Sequence, residues 1–167
     1  MGWPNPGHMN ERTPPYSAPK LVASLLGIGY LGRGSGTVAA GVVLAAWWAS
    51  GWASLPILWV VIVVTALCAI GVVASTMVEN EWGVDSGRVV VDEAGGMAIA
   101  LIGLPGGWPH ALAAFVLFRV LDIAKPLGIS QLEKLPGGWG VMGDDVLAGI
   151  YTNLILQTAL LTGIWPT

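Results

Sequence analysis

Long apolar runs separated by short breaks organise this chain from residue 38 onward. The runs are VAAGVVLAAWWAS (38–50), PILWVVIVVTALCAIGVVASTMV (56–78), 92–104, 109–124 and 144–164. Each reads as a helix. At 1.5 Å rise per residue, only 56–78 comfortably spans a hydrocarbon core of about 30 Å. The runs at 38–50, 92–104 and 109–124 are short for full crossings and suit tilted, interfacial or partly inserted helices. An earlier stretch, KLVASLLGIGYLG (20–32), is too brief to span and reads as an interfacial or packed helix. The breaks are GRGSGT (32–37), GWASLP, the charged loop ENEWGVDSGR (79–88), PGGWP and a polar stretch running through residue 143.

Letting the five runs cross in turn sorts the breaks by side. GWASLP, PGGWPH and the tail IWPT fall together and hold no Lys, Arg, Asp or Glu. Arg33, the 79–93 segment and everything from Arg119 to Asp145 fall on the opposite side. Because the basic residues are among these charges, the positive-inside rule makes that face cytoplasmic.

Composition strengthens the membrane reading. Of 167 residues, 54% are hydrophobic and 10% charged, with a mean hydropathy of +0.71. Soluble domains carry about 25% charged residues. Nine tryptophans suit anchoring at headgroup level. Residues 1–19 are polar and rich in Pro and Asn, with no apolar stretch beside a cleavage site. They read as a disordered cytosolic lead-in to a single domain over 20–167. The net charge of −3 and the scattered basic residues give no nucleic-acid footprint. Cys68 stands alone in LCAIG as a small buried hydrophobe, so no disulfide forms within the chain. His8 and His110 have no ligand-spaced companion.

The chemistry concentrates on the charged face. Asp92–Glu93 opens one apolar run and Asp144–Asp145 another, with Asp122 inside a third. Each pair alone suits a helix N-terminus, where free N–H groups and a partial positive charge favour an acidic first turn. Two such pairs facing one way, joined by Asp122, also form a set of hard oxygen donors for Mg²⁺. That ion binds through a few carboxylates plus substrate phosphate, and carboxylates near a bilayer require a partner. In FRVLDIAKP (118–126), Arg119, Asp122 and Lys125 are spaced i, i+3, i+6. Either Arg119 and Asp122 pair along the helix, or Asp122 joins the metal ligands while Arg119 and Lys125 hold phosphate oxygens. Pro126 stops this helix. LGRGSGTVAA (31–40) places Arg33, Ser35 and Thr37 where a glycine-rich loop opens a helix, which serves equally as an anion cradle or a cap. A Walker loop is excluded because its Lys is missing. No CxxxxxR, DxDxT, HExxH or DxxDGxxAR signature occurs, which leaves metal-assisted hydrolysis.

The succession of GSGTVAA, VVVDEAGGM, FRVLDIAKP and GGWGVMGDDVLAGIYTN, over about residues 20–163, resembles phosphatidylglycerophosphatase A, a bacterial membrane lipid phosphatase. The resemblance implies an all-α fold: a compact, membrane-embedded helical bundle with its acidic site facing the cytoplasm. It further implies a multi-pass protein of the bacterial inner membrane. The implied activity is Mg²⁺-dependent removal of the terminal phosphate of phosphatidylglycerophosphate, giving phosphatidylglycerol. By motif, Asp92, Glu93, Asp122, Asp144 and Asp145 become catalytic metal ligands, and Arg119 and Lys125 substrate-phosphate contacts; Arg33, Ser35 and Thr37 are further candidates for those contacts. LGIS after Pro126 and VDSGR before the acidic pair depart from the family's usual loops, which makes Asp85 and Arg88 secondary candidates. Two rivals stand beside this reading: a small transporter or channel with an acid-lined path, and a non-catalytic membrane subunit whose acidic pairs only cap helices. A cation path requires ionisable residues at mid-membrane or on both faces, and here the outer face has none. The sequence carries no signal of oligomeric state.

Overall fold

In a computed structural model, residues 17–84 and 86–164 are described, and among them all regular structure is helical. The lead-in 1–16 with His8, Asp85, and the last residues of the tail lie outside the described residues. The helices are α1 (Ala18–Ala23), α2 (Ser35–Ala49), α3 (Ile57–Trp82), α4 (Val91–Ala100), α5 (Trp108–Ala124), α6 (Ile129–Leu132) and α7 (Gly138–Leu161), with single 3-10 turns at Ile28–Leu31 and Trp52–Ser54. Helix α1 begins inside the stretch expected as lead-in. It is fixed there by Lys20, whose ammonium lies 2.7 Å from Glu81 near the end of α3.

Helix α4 sits at the centre, touching α2, α3, α5 and α7. Its sequence VDEAGGMAIA is small enough for neighbours to approach from every side, and it is apolar nearly all round, as a core helix must be. The tightest approach is to α7, where a Cβ on Gly149 would overlap the backbone of Gly96. Met97, Leu101, Phe118, Ala148 and Leu156 fill the main core around this crossing. A second cluster, including Ala74, Val78, Val91 and Met142, joins α3 to α4 and α7.

Polar side chains inside α7 close the uncharged end. Asn153 Nδ2 donates to the carbonyls of Ala100 (3.1 Å) and Ile102 (2.7 Å), and Gln157 Nε2 donates to Ile102 (3.1 Å). They satisfy carbonyls that the end of α4 leaves without helical partners. Nearby, the uncharged turns pack together, Ala53 facing Gly106.

Helix α3 is the one described helix long and apolar enough to cross a membrane, and only 22% of its most apolar stretch is buried by the rest of the chain. Its apolar surface therefore faces outward. Helix α4, ten residues long, rises about 15 Å and cannot cross alone. Several boundaries differ from expectation: α3 runs on through Trp82 into the stretch read as a charged loop, α6 forms within the polar stretch, and 20–32 is divided between α1 and a 3-10 turn. Asp144 and Asp145 do not open α7, which begins six residues earlier at Gly138 and takes in the glycine-rich stretch read as a loop. Gly138 packs directly on the Val72 backbone, and its N–H is capped by Thr76 Oγ1 at 2.8 Å. Tertiary contact thus overrides the poor helix propensity of glycine.

Candidate active site

Three helices bring the five carboxylates together. Asp92 and Glu93 stand in the first turn of α4, with Asp92 Oδ1 accepting the Glu93 N–H at 3.0 Å. Asp122 projects from the last turns of α5. Asp144 and Asp145 come from the interior of α7, only 7% and 3% exposed. Oxygens of Asp92, Glu93 and Asp145 lie within 4.8 Å of one another, as do those of Asp122, Asp144 and Asp145. Asp145 belongs to both groups and links them.

The basic residues of FRVLDIAKP part company. Arg119 stays on the cluster, its Nη1 2.6 Å from Asp122 Oδ2. Lys125 ends α5 in a left-handed conformation (φ 45°) and turns to Asp144 Oδ2 (2.6 Å) and Glu133. Burial acts to lower the Lys125 pKa, but its hydrogen bonds to Asp144 and Glu133 prevail and hold it above the ordinary lysine value. Glu133 has no sequence signal, since nothing in QLEKL announces a partner for a lysine eight residues upstream.

Charge balance at the cluster is incomplete. Burial, then the neighbouring Glu93 carboxylate, drives the Asp92 pKa well above the carboxylate range. Burial and then Asp92 do the same to Asp145. Oδ1 of Asp144, Oδ1 of Asp145 and Oε2 of Glu93 are buried without a hydrogen-bond partner among the described residues. Unpaired buried oxygens are rare and costly. An all-oxygen donor set with free lone pairs fits a hard divalent cation.

Beside the cluster opens a cavity of about 960 Å³. Asp92, Glu93 and Arg119 form one wall; Arg33, Gly34, Ser35 and Gly36 form another; Trp82 and residues 86–89 complete it. Gly36 is where the glycine-rich loop meets the cluster, because a Cβ there would overlap the Glu93 carboxylate. Ser35 Oγ donates to the Gly87 carbonyl at 3.4 Å, tying the two loops together. Of the residues read from sequence as phosphate contacts, Arg33, Ser35 and Arg119 line this cavity, whereas Thr37 and Lys125 do not. Arg88 does line it; Asp85 is outside the described residues.

Residues 21–160 match the family model described as Phosphatidylglycerophosphatase A. A Bacteroides thetaiotaomicron protein whose name proposes a phosphatidylinositol-3-phosphatase is 39% identical over 154 residues, covering 87% of this chain and 95% of that protein. Phosphatidylglycerophosphatase A of Haemophilus influenzae is 42% identical over 99 residues, covering 57% of this chain and 61% of the relative. Phosphatidylglycerophosphatase A of Escherichia coli is 39% identical over 102 residues, 59% of each chain. This chain thus matches about three fifths of the length of those two enzymes. No solved structure matches it.

Proposed function

The chain belongs to the phosphatidylglycerophosphatase A family, and from that premise we propose that it is a Mg²⁺-dependent phosphomonoesterase that converts phosphatidylglycerophosphate to phosphatidylglycerol at the cytoplasmic face of a bacterial inner membrane. That it is a lipid phosphatase acting on phosphatidylglycerophosphate follows from the family. The metal, the membrane and the role of each residue belong to the proposal. The observation that carries it is the convergence of Asp92, Glu93, Asp122, Asp144 and Asp145 from three helices beside a cavity lined by Arg33 and Arg119.

In this reading Asp92, Glu93, Asp122, Asp144 and Asp145 would hold Mg²⁺. When bound, the ion would neutralise phosphate charge and acidify a water. The chain's own groups supply the rest. Arg119 presents guanidinium N–H groups at the cavity wall, where they meet phosphate oxygens as charge spreads in the transition state. Arg33 adds positive charge from the glycine-rich loop. Lys125 offsets Asp144 from behind and holds that carboxylate in place. A carboxylate of the cluster not fully engaged by the cation accepts the proton of the attacking water. The outward-facing apolar surface of α3 supports residence in the bilayer, with the substrate's acyl chains alongside and its headgroup in the cavity.

The test is phosphate release from phosphatidylglycerophosphate by purified protein, with Mg²⁺ and with EDTA. EDTA should abolish turnover and Mg²⁺ restore it. Asp92→Asn and Asp144→Asn should each remove turnover at near-normal expression. Retained turnover in both variants would mean that the acidic pairs only cap or pack helices.

A further inference from the structure

The cavity beside the carboxylates is also lined by Arg88, to which the hydrolysis proposed above gives no role. Arg88 lies in the 86–90 loop, its guanidinium carbon 5.8 Å from the Tyr30 ring centroid and 6.0 Å from that of Trp82. The two rings meet edge to face, centroids 5.9 Å apart at 82°. Among the described residues Arg88 has no ion-pair partner. Glu81, on the same cavity, is paired with Lys20.

The backbone beneath Arg88 is fixed. Gly29 packs against the Arg88 carbonyl so closely that a Cβ would overlap it. Val89 N–H donates to Ser86 O at 2.8 Å, and Val90 N–H to Ala23 O at 2.9 Å. A guanidinium held by aromatic rings is ordered in advance, yet its in-plane N–H groups stay available to an anion. The fork suits two oxygens of one phosphate.

Size and placement indicate which phosphate. A cavity of about 960 Å³ lies at the upper end of small-ligand sites, roughly 300–1,000 Å³, and one phosphomonoester fills only a corner. The headgroup of phosphatidylglycerophosphate carries a second phosphate: the phosphodiester that joins it to the acylated glycerol. Trp82 is the last residue of the apolar helix α3, where an amphipathic ring settles at headgroup level. A phosphodiester sits at that same level in any bilayer.

We propose that Arg88, clamped by Tyr30 and Trp82, binds the internal phosphodiester of the substrate, so that the enzyme selects headgroups bearing two phosphates over lipids bearing a single phosphomonoester. The proposal rests on the function given above and adds the means of discrimination.

The experiment measures kcat and KM of the full chain in mixed micelles with phosphatidylglycerophosphate and with phosphatidic acid, which has the phosphomonoester but no phosphodiester. Arg88→Ala should raise KM for phosphatidylglycerophosphate about tenfold or more, the worth of a charge-assisted hydrogen bond, with a much smaller change in kcat. The ratio of kcat/KM between the two lipids should fall by a similar factor. Arg88→Lys, which keeps the charge but not the fork, should fall between wild type and Arg88→Ala, and it decides the matter if the alanine variant expresses poorly. Tyr30→Leu should lower the ratio in the same direction by a smaller factor. A ratio preserved in Arg88→Ala and Arg88→Lys, or a loss confined to kcat, would overturn the phosphodiester assignment while leaving the phosphatase reading intact. Wild-type protein that releases no phosphate from phosphatidylglycerophosphate would overturn both.

Discussion

Asp92–Glu93 and Asp144–Asp145 look alike in sequence, each an acidic pair ahead of an apolar run, but the fold treats them differently. The first pair occupies the opening turn of α4, where free N–H groups stabilise a carboxylate. The second lies inside α7, two turns from its start, where backbone N–H groups are engaged in the helix, although that of Asp145 also bonds the Asp144 carboxylate. Asp144 is offset by Lys125; Asp145, almost wholly buried, has no basic partner among the described residues. An acidic pair at a helix start has a local source of stabilisation, although burial still raises the pKa of Asp92. A pair in a buried helix interior is a standing cost, and its compensation must come from elsewhere in the fold or from a ligand.

The sharpest way to break this contrast is Asp145→Asn, since Asp145 joins both carboxylate groups. Loss of a shared ligand of the proposed metal should reduce turnover on the order of 10³-fold, several kcal/mol of transition-state stabilisation. In EDTA the same variant should unfold at a higher temperature than wild type, because an uncompensated buried charge has gone. A lower unfolding temperature in EDTA would show that Asp145 is structurally satisfied, and the contrast between the pairs would disappear.

Lys125→Met probes the compensation that is present. Removing the cation leaves Asp144 with a buried charge and should cost about 1–2 kcal/mol of stability in EDTA, discounted for the partial exposure of the lysine. In the proposed metal site a divalent cation would serve the same carboxylate, so Mg²⁺ should recover most of the loss. Unfolding in detergent with and without Mg²⁺ checks this. An equal deficit in both conditions would mean that Lys125 acts through packing and not through charge.

Much of this arrangement is legible in the sequence, and what is hidden has physical reasons. The start and apolar body of α3 follow from an unbroken apolar run after Pro56, and the end of α5 from Pro126. The acidic residues declare themselves because charge is scarce in so apolar a chain. The start of α7 is concealed because GGWG reads as a turn, and its helicity depends on contacts with Val72 and Thr76, more than sixty residues earlier. The pairing of Lys125 with Asp144 and Glu133 depends on the left-handed residue ending α5, which no spacing rule predicts. The Tyr30–Arg88–Trp82 cluster draws on three separate segments and leaves no local pattern.

Proton linkage offers a smaller effect with a definite sign. Asp92 and Asp145 have pKa values raised in the folded chain, first by burial. The folded state therefore binds these protons more tightly than the unfolded chain. Their stabilisation is complete below the ordinary carboxylate pKa of about 4 and is lost as pH rises through the raised values. In EDTA, stability should therefore fall as pH rises above about 4. With saturating Mg²⁺, which binds the ionised form, the slope should flatten or reverse. A metal-free protein that gains stability over this range would place the dominant carboxylates in stabilised, ionised positions.

The smallest effect on stability is expected at Asp92, where opposing contributions nearly cancel. Asn in place of Asp92 keeps an oxygen able to accept the Glu93 N–H now bonded at 3.0 Å. It gives up a helix-dipole interaction of about 0.3–1 kcal/mol and gains relief from repulsion by Glu93 and Asp144. These terms oppose one another, so the stability of Asp92→Asn in EDTA should stay within about 0.5 kcal/mol of wild type. Asp144→Asn, in contrast, gives up its ion pair with Lys125 and should lose measurably more. Unfolding midpoints of the two variants, measured side by side without metal, test the distinction directly. Equal midpoints would mean that position in the helix does not govern how these acids are held, and that burial alone sets their cost.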